Sequence, residues 1–112
     1  MALRPDVLRR KKDFDRLYKK GRSAGDKYVV VFHIENGLTY NRRAFLASKK
    51  VGGAVARNRA RRLMKESFRN LGQSIKSGRD VLVIARGTIV DAGCPQVEAS
   101  MRRAFTKSGL LL

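Results

Sequence analysis

Residues 47–68 read Ala-Ser-Lys-Lys-Val-Gly-Gly-Ala-Val-Ala-Arg-Asn-Arg-Ala-Arg-Arg-Leu-Met-Lys-Glu-Ser-Phe. Within this stretch the chain passes from the end of an apolar strand, through a Gly-Gly turn, into a basic amphipathic helix. The rest of the fold must cover one face of that helix and leave the other bare. At about 100° per residue, Ala56, Ala60, Leu63, Met64, Ser67, Phe68 and Leu71 gather in one apolar arc. Asn58, Arg61, Arg62, Lys65 and Arg69 fall opposite, with Arg59 and Glu66 at the flanks. Arg57 falls near the edge of the apolar arc, in the first turn. The apolar face docks the helix, and the polar face presents cations in a row. Arginine adds a planar fork of donors that fits phosphate oxygens in pairs. The plainer alternative is a solvated basic face with no partner, a common fate of charge runs. The rest of the chain shifts the balance toward a partner.

A chain of 112 residues fits one domain, here residues 1–112. It can bury about 65% of its unfolded surface, and its hydrophobic fraction of 43% supports a real core rather than a disordered basic tail. Against that ordinary background, 26 Lys and Arg face nine Asp and Glu, for a net charge of +17 and a pI near 11.3. Such a charge repels itself on folding and is tolerated when the partner is a polyanion. Nucleic acid is the first candidate. An anionic membrane is the second, but no apolar run approaches the ~20 residues that span a bilayer. The first six residues lack the apolar segment of a secretory signal, and Leu110-Leu111-Leu112 is too short to anchor anything. The single cysteine, Cys94, excludes an internal disulfide and fits a reducing compartment. A cytoplasmic protein with no membrane partner is the expectation.

In order along the chain, residues 1–10 show no periodicity and are expected to form an extended or loosely held arm. Phe14, Leu17 and Tyr18 share a face of a helix over residues 11–20. Asp13 and Asp15 lie in its first half and Lys19 and Lys20 in its last turn, as the helix dipole favours, and Gly21 is a natural stop. Residues 27–35 are β-branched and aromatic and predict a strand. Alternation puts Tyr28, Val30, Phe32 and Ile34 on one of its faces and Val29, Val31 and His33 on the other. Asn36-Gly37 marks a turn, and residues 42–49 a second strand, with Arg43, Phe45 and Ala47 opposing Ala44, Leu46 and Ser48. Whether residues 51–55 add a further short extended piece stays open. Gly72 ends the basic helix. The near-continuous apolar run over residues 80–86 predicts a strand covered on both faces or central in its sheet. Residues 87–95 predict a loop or a frayed start, and residues 95–107 a last helix, with Pro95 in its first turn. The order α, β, β, (β), α, β, α describes an α+β fold: a single-domain α/β sandwich with one mixed sheet and helices largely on one side.

Catalytic chemistry is sparse. His33, the only histidine, sits in a strand beside Phe32 and Ile34 and reads as structural. Cys94 has no activating signature. Two such residues cannot make a zinc site, and Val51-Gly52-Gly53-Ala54 does not match a nucleotide-binding loop. Nine scattered acids do not suggest the carboxylate cluster of a two-metal nuclease. No catalytic residue and no metal ligand is assigned. If the chain serves a reaction, another molecule is expected to hold the active site. The aromatics Phe14, Tyr18, Tyr28 and Phe32 stand between two readings: core, or a groove that stacks unpaired bases.

Ser48-Lys49-Lys50-Val51-Gly52 followed by Ala54-Val55-Ala56-Arg57-Asn58-Arg59 and Arg61-Arg62-Leu63 resembles the signature of the protein component of bacterial ribonuclease P. Asp13-Phe14, Tyr18 and Gly21 look like that family's first helix, and Asp80 through Arg86 like its late strand. The resemblance covers nearly the whole chain. It implies an αβββαβα order, a left-handed βαβ crossover and a likeness to one domain of a ribosomal protein. It also implies a function: removal of the 5′ leader from precursor tRNA by a ribonucleoprotein endonuclease whose RNA subunit carries the catalytic centre and its Mg²⁺ ions.

The implied partners are ribonuclease P RNA and precursor tRNA, with one protein per catalytic RNA. Arg57, Asn58, Arg59, Arg61, Arg62 and Lys65 are expected to contact the catalytic RNA. Phe14, Tyr18 and Phe32 are expected to line a cleft for the single-stranded leader, with Ser48, Lys49, Lys50 and Arg86 at its rim. Tyr18 stands where the family also carries phenylalanine, which keeps the stacking face and adds a hydroxyl. The rival reading is a ribosomal or RNA-chaperone protein with no role in cleavage. A protein that cuts RNA unaided is a further rival, weakened by the scarcity of acids and bases.

Overall fold

The computed structural model describes residues 5–112. In chain order, helix α1 spans Lys11–Lys20, strand β1 Arg22–Gly25, β2 Val29–Glu35, β3 Arg42–Leu46, helix α2 Ala54–Leu71, strand β4 Arg79–Ala85 and helix α3 Cys94–Ser108. Single 3₁₀ segments follow α2 at Gly72–Ser74 and β4 at Gly87–Asp91. The order is αβββαβα. The sheet runs β1-β2-β4-β3. β2 is antiparallel to β1 and β4, whereas β3 and β4 are parallel and are joined across α2.

The third strand is not where residues 51–55 left it open. Val51 lies in a turn and α2 begins at Ala54. The chain leaves β3 early because Ser48 turns it: the Ser48 hydroxyl accepts from the Lys50 amide at 3.3 Å and its carbonyl from the Val51 amide at 3.0 Å. The extra strand is β1, Arg-Ser-Ala-Gly, a stretch with no strand propensity of its own. It forms because the exit from α1 delivers it beside β2, Arg22 opposite His33 and Gly25 opposite Val30. Gly21 makes that exit. Its conformation is extended (φ −73°), so the requirement is space: a Cβ there would lie 2.5 Å from the Leu17 carbonyl oxygen and 3.1 Å from that of His33. Gly21→Ala is therefore expected to cost about 1–3 kcal/mol through overpacking, read as a lowered denaturation midpoint in urea.

The sheet is covered on both faces. Val29, Val31, Val81 and Val83 pack against Ala60, Met64 and Leu71 of α2 and Val97, Met101 and Phe105 of α3. Phe45, Phe68 and Phe105 link sheet and helices edge to face, with centroids 5.5 and 6.1 Å apart. On the opposite face Leu17 of α1 and Leu8 bury Leu82 and Ala44. Two helices thus share one face and α1 takes the other. β4, the near-continuous apolar run, is central and is buried on both sides.

Polar ties fix the layers. Arg42 grips the buried Asp80 with two donors, Nε to Oδ1 at 2.8 Å and Nη2 to Oδ2 at 2.6 Å, and reaches Asp13 of α1 at 3.5 Å. Asp26, in the β1–β2 turn, accepts from Ser100, Arg103 and Lys107 of α3. The Arg103 bond in particular holds its carboxyl well below the usual carboxylate range. Part of the expected loose arm is also held. The Leu8 amide donates to the Arg43 carbonyl and the Arg43 amide to the Asp6 carbonyl, both at 2.9 Å, and Arg43 pairs with the Asp6 carboxylate at 2.6 Å. Residues 1–4 of that arm lie outside the described residues.

His33 is buried, 1% exposed. Its Nε2 lies 2.8 Å from the Ser108 carbonyl oxygen, which can only accept, so Nε2 carries the proton. Nδ1 has no partner. Burial pushes the imidazole pKa below its ordinary 6.5. The unfolded chain then binds a proton that the folded chain refuses, so stability falls as pH drops below about 6.5 toward the folded-state value. The slope is at most about 1.4 kcal/mol per pH unit. His33→Gln, which keeps a donor for Ser108, should flatten stability between pH 7 and pH 5 in denaturant titrations.

Candidate RNA-binding surfaces

α2 departs from the charge pattern that stabilises a helix. Its first turn contains no acid, and Arg57 and Arg59 sit near the positive end of its dipole. A local conflict of this kind is what functional sites often carry. The buried side of the helix is Ala60, Met64, Ser67 and Leu71; Asn58, Arg62 and Lys65 are exposed, and Arg57, Arg59 and Arg61 are half-buried. The six do not behave alike. Arg61 Nη2 donates to Asn58 Oδ1 at 2.6 Å, so the asparagine braces the arginine and leaves the rest of the guanidinium fork for a ligand. Arg59 Nη2 donates to the Ala92 carbonyl at 2.6 Å, tying α2 to the segment before α3. Arg57 Nε is buried without a partner. Glu66, the only acid of α2, pairs with Arg69 and leaves the other cations unneutralised.

Between α2 and the edge strand β3 lies a groove of about 1060 Å³. Arg61, Arg62 and Lys65 form its cationic wall beside Asn58; Leu8, Phe14 and Leu46 contribute apolar surface. Arg43, not singled out by the sequence, stands in it with its guanidinium 6.0 Å from the Phe68 ring centroid.

The second surface is the sheet face that α1 covers only in part. Strand register sets Phe32, Leu82 and Ala44 in one row and Val30, Ile84 and Leu46 in the next. Leu17 covers the first row. In the second row Val30 and Ile84 are half-exposed and Leu46 is 38% exposed. Phe14, Tyr18 and Phe32 flank this open strip. Tyr18 is 47% exposed, and its ring meets that of Phe32 edge to face with centroids 5.1 Å apart. Tyr28 does not join them. It packs against the core on the α2–α3 side, its amide donating to Ser100 Oγ at 3.1 Å, because regular alternation begins only at Val29.

Ser48, Lys49 and Lys50 follow β3 and Arg86 follows β4, so all four lie past the end where the parallel strands finish. Gly87 runs so close to Lys50 that a Cβ there would lie 3.2 Å from its carbonyl oxygen. Arg86 Nη1 rests 3.3 Å from the Asp26 carbonyl oxygen. The residues missed in sequence, Val30, Ile84 and Leu46, were readable by alternation once the neighbouring strands were known.

Among the described residues no group of three or more His, Cys, Asp or Glu is placed to hold a metal ion, and no helix is long and apolar enough to cross a membrane. The carboxylates of buried Asp80 and half-buried Asp26 are instead taken up by arginine, asparagine, serine and lysine donors. This donor set does not fit a divalent cation.

The profile of the Ribonuclease P family matches residues 3–109. A Ribonuclease P protein component from a Thermoanaerobacter species is 41% identical over 110 residues, 96% of this chain and 95% of the relative. One from Alkaliphilus oremlandii is 38% identical over 104 residues, 93% of this chain and 91% of the relative. Among solved structures, the RNase P protein of Staphylococcus aureus superposes with a TM-score of 0.86 at 29% identity, covering 97% of this chain and 100% of that one. That of Thermotoga maritima gives 0.78 at 30% identity, covering 87% and 92%. The chain belongs to the ribonuclease P protein family.

Proposed function

We propose that the whole chain acts as one RNA-binding domain, the protein subunit of a ribonucleoprotein that removes the 5′ leader of precursor tRNA, with one protein per catalytic RNA in the cytoplasm. Arg57, Asn58, Arg61, Arg62 and Lys65 of α2 contact the catalytic RNA, and Arg59 contributes mainly by holding α2 in place. The strip flanked by Phe14, Tyr18 and Phe32 takes the single-stranded leader, whose phosphates meet Ser48, Lys49, Lys50 and Arg86 at its end. The observation that carries this reading is the α2 face itself: cations at the positive end of a helix dipole with no acid in the first turn, an arrangement that a polyanion relieves.

The mechanism is electrostatic and positional. A polyanionic substrate approaches a polyanionic ribozyme, and fixed cations between them lower the repulsion. Half-exposed rings stack unpaired bases with little dependence on sequence. Precursor, which carries the leader, is then bound more tightly than mature tRNA, which lacks it. The chemical step belongs to the RNA, which holds the Mg²⁺ ions; protein cations replace part of the ion atmosphere and lower the Mg²⁺ concentration required. The test is cleavage of precursor tRNA at low Mg²⁺ by a bacterial ribonuclease P RNA alone, by this protein alone and by both. Rapid cleavage only in the mixture is expected. Cleavage by protein alone would place chemistry in the chain, and no stimulation by folded protein would favour the ribosomal or chaperone reading.

A further inference from the structure

At the end of the sheet away from Lys50 and Arg86, where β2 finishes and β1 and β4 begin, a second pocket of about 450 Å³ opens. Arg16 and Lys20 of α1 line it, with Arg22 at the start of β1, Lys76 before β4 and Arg79 opening β4. Lys20, Arg22 and Lys76 have no ion pair or side-chain hydrogen bond among the described residues. The only acid in the lining is Glu35. It meets Arg79 at 3.5 Å with its own side chain 79% exposed, and Arg16 uses the Glu35 backbone carbonyl, not the carboxylate. Five cations therefore face one weakly engaged carboxylate.

A second observation comes from beneath the cluster. His33, 1% exposed, also lines the pocket, and its buried Nδ1 is without a partner. Arg79 Nε is likewise buried and unpartnered. Buried polar atoms are nearly always satisfied, and these two lie close under Arg22 and Lys76, whose charges, like that of Arg79, act on the His33 ring.

We propose that this pocket binds a phosphate group, making it an anion site separate from both α2 and the leader strip. Arg16, Lys20, Arg22, Lys76 and Arg79 supply the charge. The pocket holds His33 neutral when empty, because burial and the neighbouring cations Arg79, Arg22 and Lys76 oppose protonation. A bound phosphate offsets those cations, so the imidazole takes up a proton more readily at Nδ1, while Nε2 keeps its bond to Ser108. Glu35, the remaining titratable group, lies on the favourable side of that change. β2 is seven residues long and spans about 20 Å, so this site and the Lys50–Arg86 end are separated by several nucleotides of backbone. RNA phosphate and free inorganic phosphate share the required chemistry.

The test uses the full chain and the variant Lys20→Gln/Lys76→Gln, whose positions lie outside the core. Imidazole NMR of His33 is followed during titration with inorganic phosphate, and affinity for catalytic RNA and for precursor tRNA is measured across salt. Phosphate should raise the His33 titration midpoint saturably in the native chain and not in the variant. Loss of about tenfold in RNA affinity, with a salt slope smaller by about one, names the RNA backbone as the source. A His33 response with unchanged RNA affinity names free phosphate. A charge-matched variant, Lys12→Gln/Arg102→Gln, should leave the His33 response intact. An imidazole indifferent to phosphate, or one equally affected in both variants, overturns the proposal. The inference draws on the RNA partner proposed above, and the phosphate titration on protein alone separates its failure from failure of that reading.

Discussion

Replacing Arg61, Arg62 and Lys65 together by alanine is expected to weaken binding to the catalytic RNA about a hundredfold at physiological salt, with the salt slope reduced by about two to three. Each residue contributes a charge-assisted contact at a partly hydrated surface, on the order of 1 kcal/mol, and each lost phosphate contact removes close to one released counterion. Folding should barely change, because Arg62 and Lys65 are exposed and Arg61 is tied only to Asn58. Arg59→Ala should behave differently. It loses the bond to the Ala92 carbonyl, so its affinity loss should be accompanied by a stability loss of about 1 kcal/mol. Titration of labelled catalytic RNA at several salt concentrations, beside urea melts of the protein, separates the two patterns. Unchanged RNA affinity and salt slope in the triple variant would mean that the α2 face is a solvated surface.

Tyr18→Ala combined with Phe32→Leu should lower the precursor-to-mature tRNA affinity ratio of the holoenzyme about tenfold to a hundredfold. The Phe32 ring is half-buried and Tyr18 is 47% exposed, so neither is committed to the core as Leu17 and Leu82 are. Stacking is worth about 1–3 kcal/mol per base. A leader crossing the strip loses at least one such platform when both rings are altered. The ratio is the useful quantity because any loss of folded protein cancels from it. Mature tRNA should bind as before. A parallel fall for both tRNAs would assign the rings to general packing.

The sequence resolved most of the fold because most elements carry their own periodicity. Helix α2 could be placed from its two arcs alone, and Ala60, Met64, Ser67 and Leu71 are buried as that wheel requires. β4 reads as a central strand because its apolar residues do not alternate, and it is central. β1 was not legible. Arg-Ser-Ala-Gly acquires strand character only from β2 beside it and from the close packing of Gly21 under the Leu17 carbonyl. The covering of the sheet was half legible: nothing local states that α1 lies opposite α2 and α3, since a helix face says that it is buried but not against what.

The candidate site divides in the same way. The cations of α2 were visible, but the task of Arg59 depends on the Ala92 carbonyl, 33 residues away in sequence. Tyr28 falls beside Phe32 only if period-two alternation is carried back past Val29, where the strand begins. His33 reads from sequence as a structural strand histidine. Its lone Nδ1 and the five cations around it converge only through the fold.

The central claim is that two faces of one small domain meet two different RNAs. Site-directed hydroxyl-radical probing tests it most directly. The native thiol is first removed by Cys94→Ser, and an iron chelate is then tethered at Arg62→Cys or at Tyr18→Cys in holoenzyme bound to precursor tRNA. Strand breaks in the catalytic RNA from position 62, and in the 5′ leader from position 18, are the expected result. Leader cleavage from position 62 with none from position 18, or catalytic RNA untouched from position 62, would contradict it.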